Sequence, residues 1–247
     1  LVITACVWEV PSIDRRADLY RRLAPAICNV ASKREWGKLP LAIADSKLLY
    51  NPTSGLGSLE RSVLTCLGLL GLAACPWRRL WQCLEPARDE RLDLLPWHEG
   101  RDVPLPLAAD PAEISLLIPL LQAALLKGGV RLVSISFRTV FPAEFNELTH
   151  RHGNKAEALS QTTLSLVAEV LASLPAAPAR IICDKHGGRN RYGPLLQQLY
   201  PEVLIEVAGE SCAVSTYRWG DKAARREIQF MAGGEAALPT ALMFLCA

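Results

Sequence analysis

Apolar positions along this chain follow two rhythms that alternate from one end to the other. Leu1 to Val10 is a β-rich apolar run ended by Pro11. Ile13 to Ser32 places Leu19, Leu23, Ile27 and Val30 at helical spacing, with arginines at 15, 16, 21 and 22 on the other face. Leu39 to Ile43 leads into Asp45-Ser46-Lys47 and a turn from Asn51 to Gly55, and Ser58 is placed to cap a helix running through Ala74. Ile114 to Lys127 reads as a helix stopped by Gly128-Gly129, Val130 to Val140 as a strand, and Asn154 to Leu174 as an amphipathic helix ended by Pro175. Arg180 to Cys183 is a short buried strand running into Asp184, Tyr192 to Tyr200 a helix, and Val203 to Val207 another strand. Val214 to Trp219 and Glu227 to Phe230 flank a basic turn as a hairpin would, and Leu238 onward opens a helix with Pro239 near its start. Strands alternating with helices, plus one hairpin, predict an α/β domain with a mixed sheet.

Between Glu85 and Asp110 both rhythms fail. Charges of both signs and prolines at 86, 96, 104 and 106 predict an exposed connection or small subdomain there. The chain has 247 residues, half of them apolar, enough to bury a large core and to exclude disordered, collagen-like and disulfide-framework classes. A net charge of +2 says nothing about partners. None of the eight cysteines forms a C-x-x-C pair and most sit in apolar stretches, so they read as buried reduced thiols, with a cytoplasmic compartment as the default. The longest apolar runs, Val63 to Pro76 and Ile114 to Leu126, fall short of the ~20 residues that cross a bilayer, so no membrane role is expected. The opening run has nothing ahead of it and the chain stops inside an apolar segment, which suggests a fragment cut at both sides.

The most informative stretch is Ile181-Ile182-Cys183-Asp184-Lys185-His186-Gly187-Gly188-Arg189-Asn190-Arg191-Tyr192. A carboxylate where a hydrophobic strand leaves a sheet is held rigidly in the crevice where α/β proteins place ligands. The glycine pair lets backbone amides approach an anion, and Lys185, Arg189 and Arg191 add positive charge. An acid beside phosphate-seeking groups makes sense with a divalent metal between them; an ordinary glycine turn with a charged surface is the alternative. Asp45-Ser46-Lys47 offers a loop anchor or a phosphate contact, against an Asx-turn with a solvated lysine. Glu235, after Gly233-Gly234, caps the following helix or serves as a metal ligand facing Asp184. His150-x-His152 lacks a third ligand, no G-x-S-x-G elbow or P-loop motif occurs, and the basic run Arg218 to Arg226 reads as a solvated turn or a backbone-tracking contact.

In their order, Leu1-Val2-Ile3-Thr4-Ala5, Asp45-Ser46-Lys47-Leu48, Phe141 to Asn146 with the helix after it, Asp184, and Glu235-x-x-x-Pro239 resemble the type 2 ribonuclease H family, ribonuclease HII. The closer likeness is to its divergent bacterial members with a long central insertion. The resemblance implies a ribonuclease H-like mixed sheet flanked by helices (1–53 and 128–247) with a mostly helical, proline-rich insertion (54–127). It implies an Mg²⁺- or Mn²⁺-dependent endonuclease cutting the RNA strand of RNA–DNA hybrids or of ribonucleotide-containing duplexes, as a monomer. Asp184 and Glu235 would be catalytic metal ligands, and Asp45, Ser46, Lys47, Lys185, Arg189 and Arg191 substrate contacts, Asp45 chiefly orienting its loop. The family's D-E pair and glycine-arginine-glycine element would precede Leu1, Glu235 stands where the family usually has Asp, and Leu242-Met243-Phe244 replaces its Ala-Ser-Ile. The expected consequence is an impaired nuclease, with a non-catalytic nucleic-acid-binding protein on the same fold as the alternative. The nuclease reading requires Asp184 and Glu235 to meet in space.

Overall fold

The computed structural model describes the chain except residues 12–15, 31–34, 51, 53, 54, 74, 86–91, 94 and 247, and except the side chains of Glu235 and Phe244. In chain order the described elements begin with β1 (Val2–Glu9), α1 (Leu19–Leu23), β2 (Ile27–Cys28), β3 (Leu41–Ala42), α2 (Ser46–Leu49), α3 (Gly57–Gly68) and α4 (Trp77–Leu84). Next come α5 (Pro111–Lys127), β4 (Arg131–Thr139), α6 (Pro142–His152), α7 (Lys155–Ser173), β5 (Ala179–Asp184) and α8 (Gly193–Leu199). The hairpin strands β6 (Glu206–Glu210), β7 (Val214–Trp219) and β8 (Arg226–Met231) follow, and a 3-10 turn at Gly234–Ala236 precedes α9 (Leu238–Cys246). The result is a mixed α/β structure, as the alternating rhythms predict.

Two compact units divide the chain. Unit 1 comprises Leu1–Ala5 and Arg138–Glu235; unit 2 comprises Cys6–Phe137 and Ala236–Ala247, and so holds all of 54–127. In unit 1 the sheet runs β5-β8-β7-β6. β5 and β8 are parallel, in register from Ala179↔Arg226 to Asp184↔Met231, while β7 pairs antiparallel with β8 and with β6. Alternate residues of β7, namely Ser215, Tyr217 and Trp219, are buried and the others half-buried, the period-2 pattern of a sheet with one face on a core. Tyr217, Ile228, Phe230 and Cys183 form that core with Leu164 of α7 and Leu195 and Leu196 of α8. α7 starts where Asn154 accepts the Glu157 N–H at 2.8 Å, after Gly153 has closed α6 in a left-handed conformation.

In unit 2 the core gathers Leu19 and Leu23 of α1, Leu64 and Leu67 of α3, Ile114, Leu117, Leu121 and Leu125 of α5, and Leu238 and Leu242 of α9. α3 and α5 are also clamped by a buried ion pair, Arg61 Nε to Glu113 Oε1 at 2.9 Å. Arg61 also donates to the Lys38 carbonyl and Glu113 also accepts the Gly37 N–H, so neither charge lacks a partner.

Three expected elements differ. Among the described residues of the helix expected over Ile13 to Ser32 only α1 is helical, and Ile27–Cys28 pairs in parallel with Leu41–Ala42. Pro25 explains this, because its ring and missing N–H end a helix; residues 13–15, 31 and 32 of that stretch lie outside the described residues. α3 starts at Gly57 without a side-chain cap from Ser58 and closes at Gly68, where the Leu72 N–H bonds back to Leu67 through Gly71 at φ 78°. Ala74 lies outside the described residues. The strand expected over Val203 to Val207 begins at Glu206, because Gln197 donates to the Tyr200 and Val203 carbonyls and accepts from Ile205, diverting that backbone from the sheet.

Candidate functional site

Asp184 ends β5, and the Lys185 N–H extends the ladder one step further to the Met231 carbonyl at 3.1 Å. Side chains alternate along a strand, so Cys183 enters the core under α7 and α8 and Asp184 faces the other side. There the Gly233–Gly234 turn closes on it. A methyl group built on Gly234 would stand 3.7 Å from Asp184 Cα and 3.8 Å from its Oδ1, ordinary van der Waals contact. Glu235 is the next residue, its Cα about 3.8 Å further along the chain. The backbone therefore brings the segments of the two sequence-predicted acids together; the Glu235 carboxylate itself lies outside the described side chains.

Beyond Asp184 the chain turns through Gly187 and Gly188, at φ 57° and 76°. Gly187 also lies so close to α7 that a Cβ there would stand 3.2 Å from Ala156 Cβ, which with the left-handed backbone accounts for a glycine. His186 is buried beneath the turn, Nδ1 at 3.0 Å from Ser160 Oγ. Ser160 spends its single hydroxyl proton on the Ala156 carbonyl at 2.8 Å, so the imidazole must donate from Nδ1. Burial, with Arg189 nearby, pushes the imidazole down to about 4, so it is neutral at physiological pH. The His186 N–H donates to Tyr192 Oη at 2.9 Å, the Tyr192 ring stacks on Phe230, and the Tyr192 N–H donates to Tyr217 Oη at 2.7 Å. Tyr217 in turn donates to Glu210. Desolvation, then the bond to Glu210, pushes the Tyr217 phenol up to about 12, so it stays protonated and donating.

Each cation of this loop meets an internal partner. The Lys185 ammonium donates to Asn190 Oδ1 at 2.6 Å and reaches the Ser211 carbonyl and Ser215 Oγ, on the hairpin side of the sheet. Arg189 pairs with Glu157 of α7 and lies over the Tyr192 ring. Arg191 stands only loosely against Glu210, at 3.7 Å, with 86% of its side chain exposed. The loop is thus bolted to α7, β6 and β7, with Arg191 as its most accessible cation.

The other predicted contacts belong to unit 2. Asp45 Oδ1 accepts the Lys47 N–H at 3.0 Å and caps α2; Ser46 opens that helix and Lys47 is exposed. His150 and His152 occupy the last turn of α6. In the basic run Arg218 to Arg226, which spans the end of β7, the turn and the start of β8, Arg218 pairs with Glu227 and Glu206, and Arg225 with Glu206. All eight cysteines are free thiols. Among the described residues no group of three or more His, Cys, Asp or Glu is arranged to hold a metal ion, and no helix is long and apolar enough to cross a membrane.

Sequence reasoning missed Ser160, Asn190, Glu210, Ser215 and Tyr217. The one signal for any of them was Ser215 at an inward position of an alternating strand, where an apolar residue belongs. No family model, curated protein or solved structure matches the chain.

Proposed function

We propose that this chain carries a ribonuclease H-like hydrolase centre acting, with Mg²⁺ or Mn²⁺, on phosphodiesters of the RNA strand in RNA–DNA hybrids or ribonucleotide-containing duplexes. The observation that supports this reading is the seating of Gly234 against Asp184, which brings two distant acidic segments to one strand end. A divalent ion there would polarise a phosphodiester and activate water. The donor chemistry fits only in part: Asp184 offers hard carboxylate oxygens, but one described carboxylate leaves magnesium most of its water. The binding expected of this chain is therefore weak and its hydrolysis slow.

Mn²⁺ titration followed by water-proton relaxation tests the centre. Weak binding that falls at least tenfold in Asp184→Asn and in Glu235→Gln is expected, with slow cleavage of a labelled hybrid and none of duplex DNA. Binding unchanged in both variants, with no cleavage at saturating Mn²⁺, would overturn it.

A second reading, a non-catalytic binder of hybrids on the same fold, is favoured by Arg191, the loop cation whose side chain is 86% exposed. It predicts hybrid binding without metal, indifferent to Asp184→Asn and weakened by salt.

A further inference from the structure

Along β8 the core-facing row is Arg226, Ile228 and Phe230, so a cation opens a row in which apolar residues belong. Ile228 and Phe230 are fully buried in the core of unit 1. Arg226 stands half-buried at the rim of that core, and its Nη1 is buried without a hydrogen-bond partner among the described residues. Trp219 of β7 and Ala179 of β5 lie directly opposite it in the sheet, so the three side chains leave on one face, where Ala179 contributes only a methyl group. The Trp219 ring packs on the Tyr200 ring, centroids 5.1 Å apart. Tyr200 Oη is a second buried polar atom with no hydrogen-bond partner among the described residues. Burial raises the Tyr200 phenol and the nearby Arg226 guanidinium only partly offsets this, so the hydroxyl stays protonated and able to donate. The carboxylates around them are engaged elsewhere or solvated: Glu227 holds Arg218, Glu206 holds Arg218 and Arg225, and Glu202 is exposed. Two buried donors on one patch destabilise the fold until something accepts from them.

We propose that Arg226 and Tyr200 bind the carboxylate of a small organic acid at this end of the sheet. Charge and donor number both choose that class. One negative charge balances one guanidinium, and the two carboxylate oxygens take one donor each. A phosphate dianion would leave a second charge and further oxygens unmatched against the Trp219 ring, which costs more than two donors return. An apolar stem on the acid is at home beside the same ring. The site is separate from the strand end that carries Asp184. β5 and β8 run parallel, with Arg226 opposite Ala179 and Asp184 at the other end of β5, a span of roughly 17 Å at ~3.3 Å per residue.

Saturation-transfer NMR of millimolar sodium butyrate with the full chain decides it. Transfer to butyrate is expected, with binding weakened at least tenfold in Arg226→Met and several-fold in Tyr200→Phe, each checked for parental circular dichroism, and equimolar phosphate should not displace it. Tyr200→Phe supplies a second readout that does not depend on the probe. Removing a hydroxyl that bonds nothing inside the protein should leave the thermal midpoint of the ligand-free chain unchanged or higher, whereas removing one that is satisfied internally lowers it. No transfer to butyrate, equal transfer in the parent and Tyr200→Phe, displacement by phosphate, or a lowered ligand-free midpoint in Tyr200→Phe would overturn the proposal.

Discussion

At the scale of single residues, His186 carries the clearest pH signature. Its imidazole is held neutral down to about 4, against an ordinary 6.5 in the unfolded chain. Above 6.5 both states are neutral and its contribution is complete. As the pH falls from 6.5 towards 4 the unfolded chain takes up a proton that the folded one refuses, so stability drops by about 3 kcal/mol over that window. Arg189, itself paired with Glu157, faces the ring and reinforces the effect. Urea unfolding at successive pH values should show a slope steeper by about one proton in the parent than in His186→Asn; equal slopes would refute the assignment. A second prediction concerns Tyr217, which is fully buried and holds both the Tyr192 N–H and Glu210. Tyr217→Phe strands that amide and should cost about 1–3 kcal/mol in chemical denaturation. Legibility at this scale was uneven. Asp184 was readable because an acid directly after a short apolar run marks the point where a buried strand reaches the surface, and Gly187 because a sharp turn needs a glycine. The network beneath them was not, because nothing in the order of residues tells that Ser160, 26 positions before His186, will sit under its ring.

At the scale of elements, pattern predicted most where a stop signal and a cap coincide. Gly153 followed by Asn154 places the start of α7 within a residue, and the β7–β8 hairpin appears with the expected strand bounds to within a residue or two. The failures have local causes. Helical spacing from Leu19 to Val30 conceals Pro25, and the apolar run before Glu206 yields to the side chain of Gln197. The hairpin connection offers a direct test. Gly220 sits at φ 82°, and a Cβ there would lie 2.7 Å from the Ala224 carbonyl oxygen, a backbone atom with no room to yield. Gly220→Ala should therefore cost at least the ~1–2 kcal/mol of a left-handed L-residue. Thermal unfolding would show it as a lowered midpoint, and an unchanged midpoint would mean the turn relaxes.

At the scale of the molecule, the mixed α/β class was legible from alternating periods, but the division into two units was not. Its borders cut through β1 and β4, each of which reads as one continuous strand in the sequence. Charge read from the sequence carries no information on pairing: Lys185, Arg189 and Arg191 read as a phosphate-seeking cluster, and in the structure Lys185 and Arg189 are bonded internally while Arg218 pairs with Glu227 and Arg225 with Glu206. Within this loop Arg191, with 86% of its side chain exposed, is the cation best placed to displace counterions. If hybrid binding is centred on this loop, the plot of log K against log salt should fall with a slope between about −1 and −2, since each neutralised phosphate contributes ~0.9. Fluorescence anisotropy of a labelled RNA–DNA hybrid across a tenfold range of salt measures it, and Arg191→Gln should flatten the slope by about one phosphate. A slope steeper than about −5 would require a basic surface elsewhere in the chain and would remove the loop from the interface.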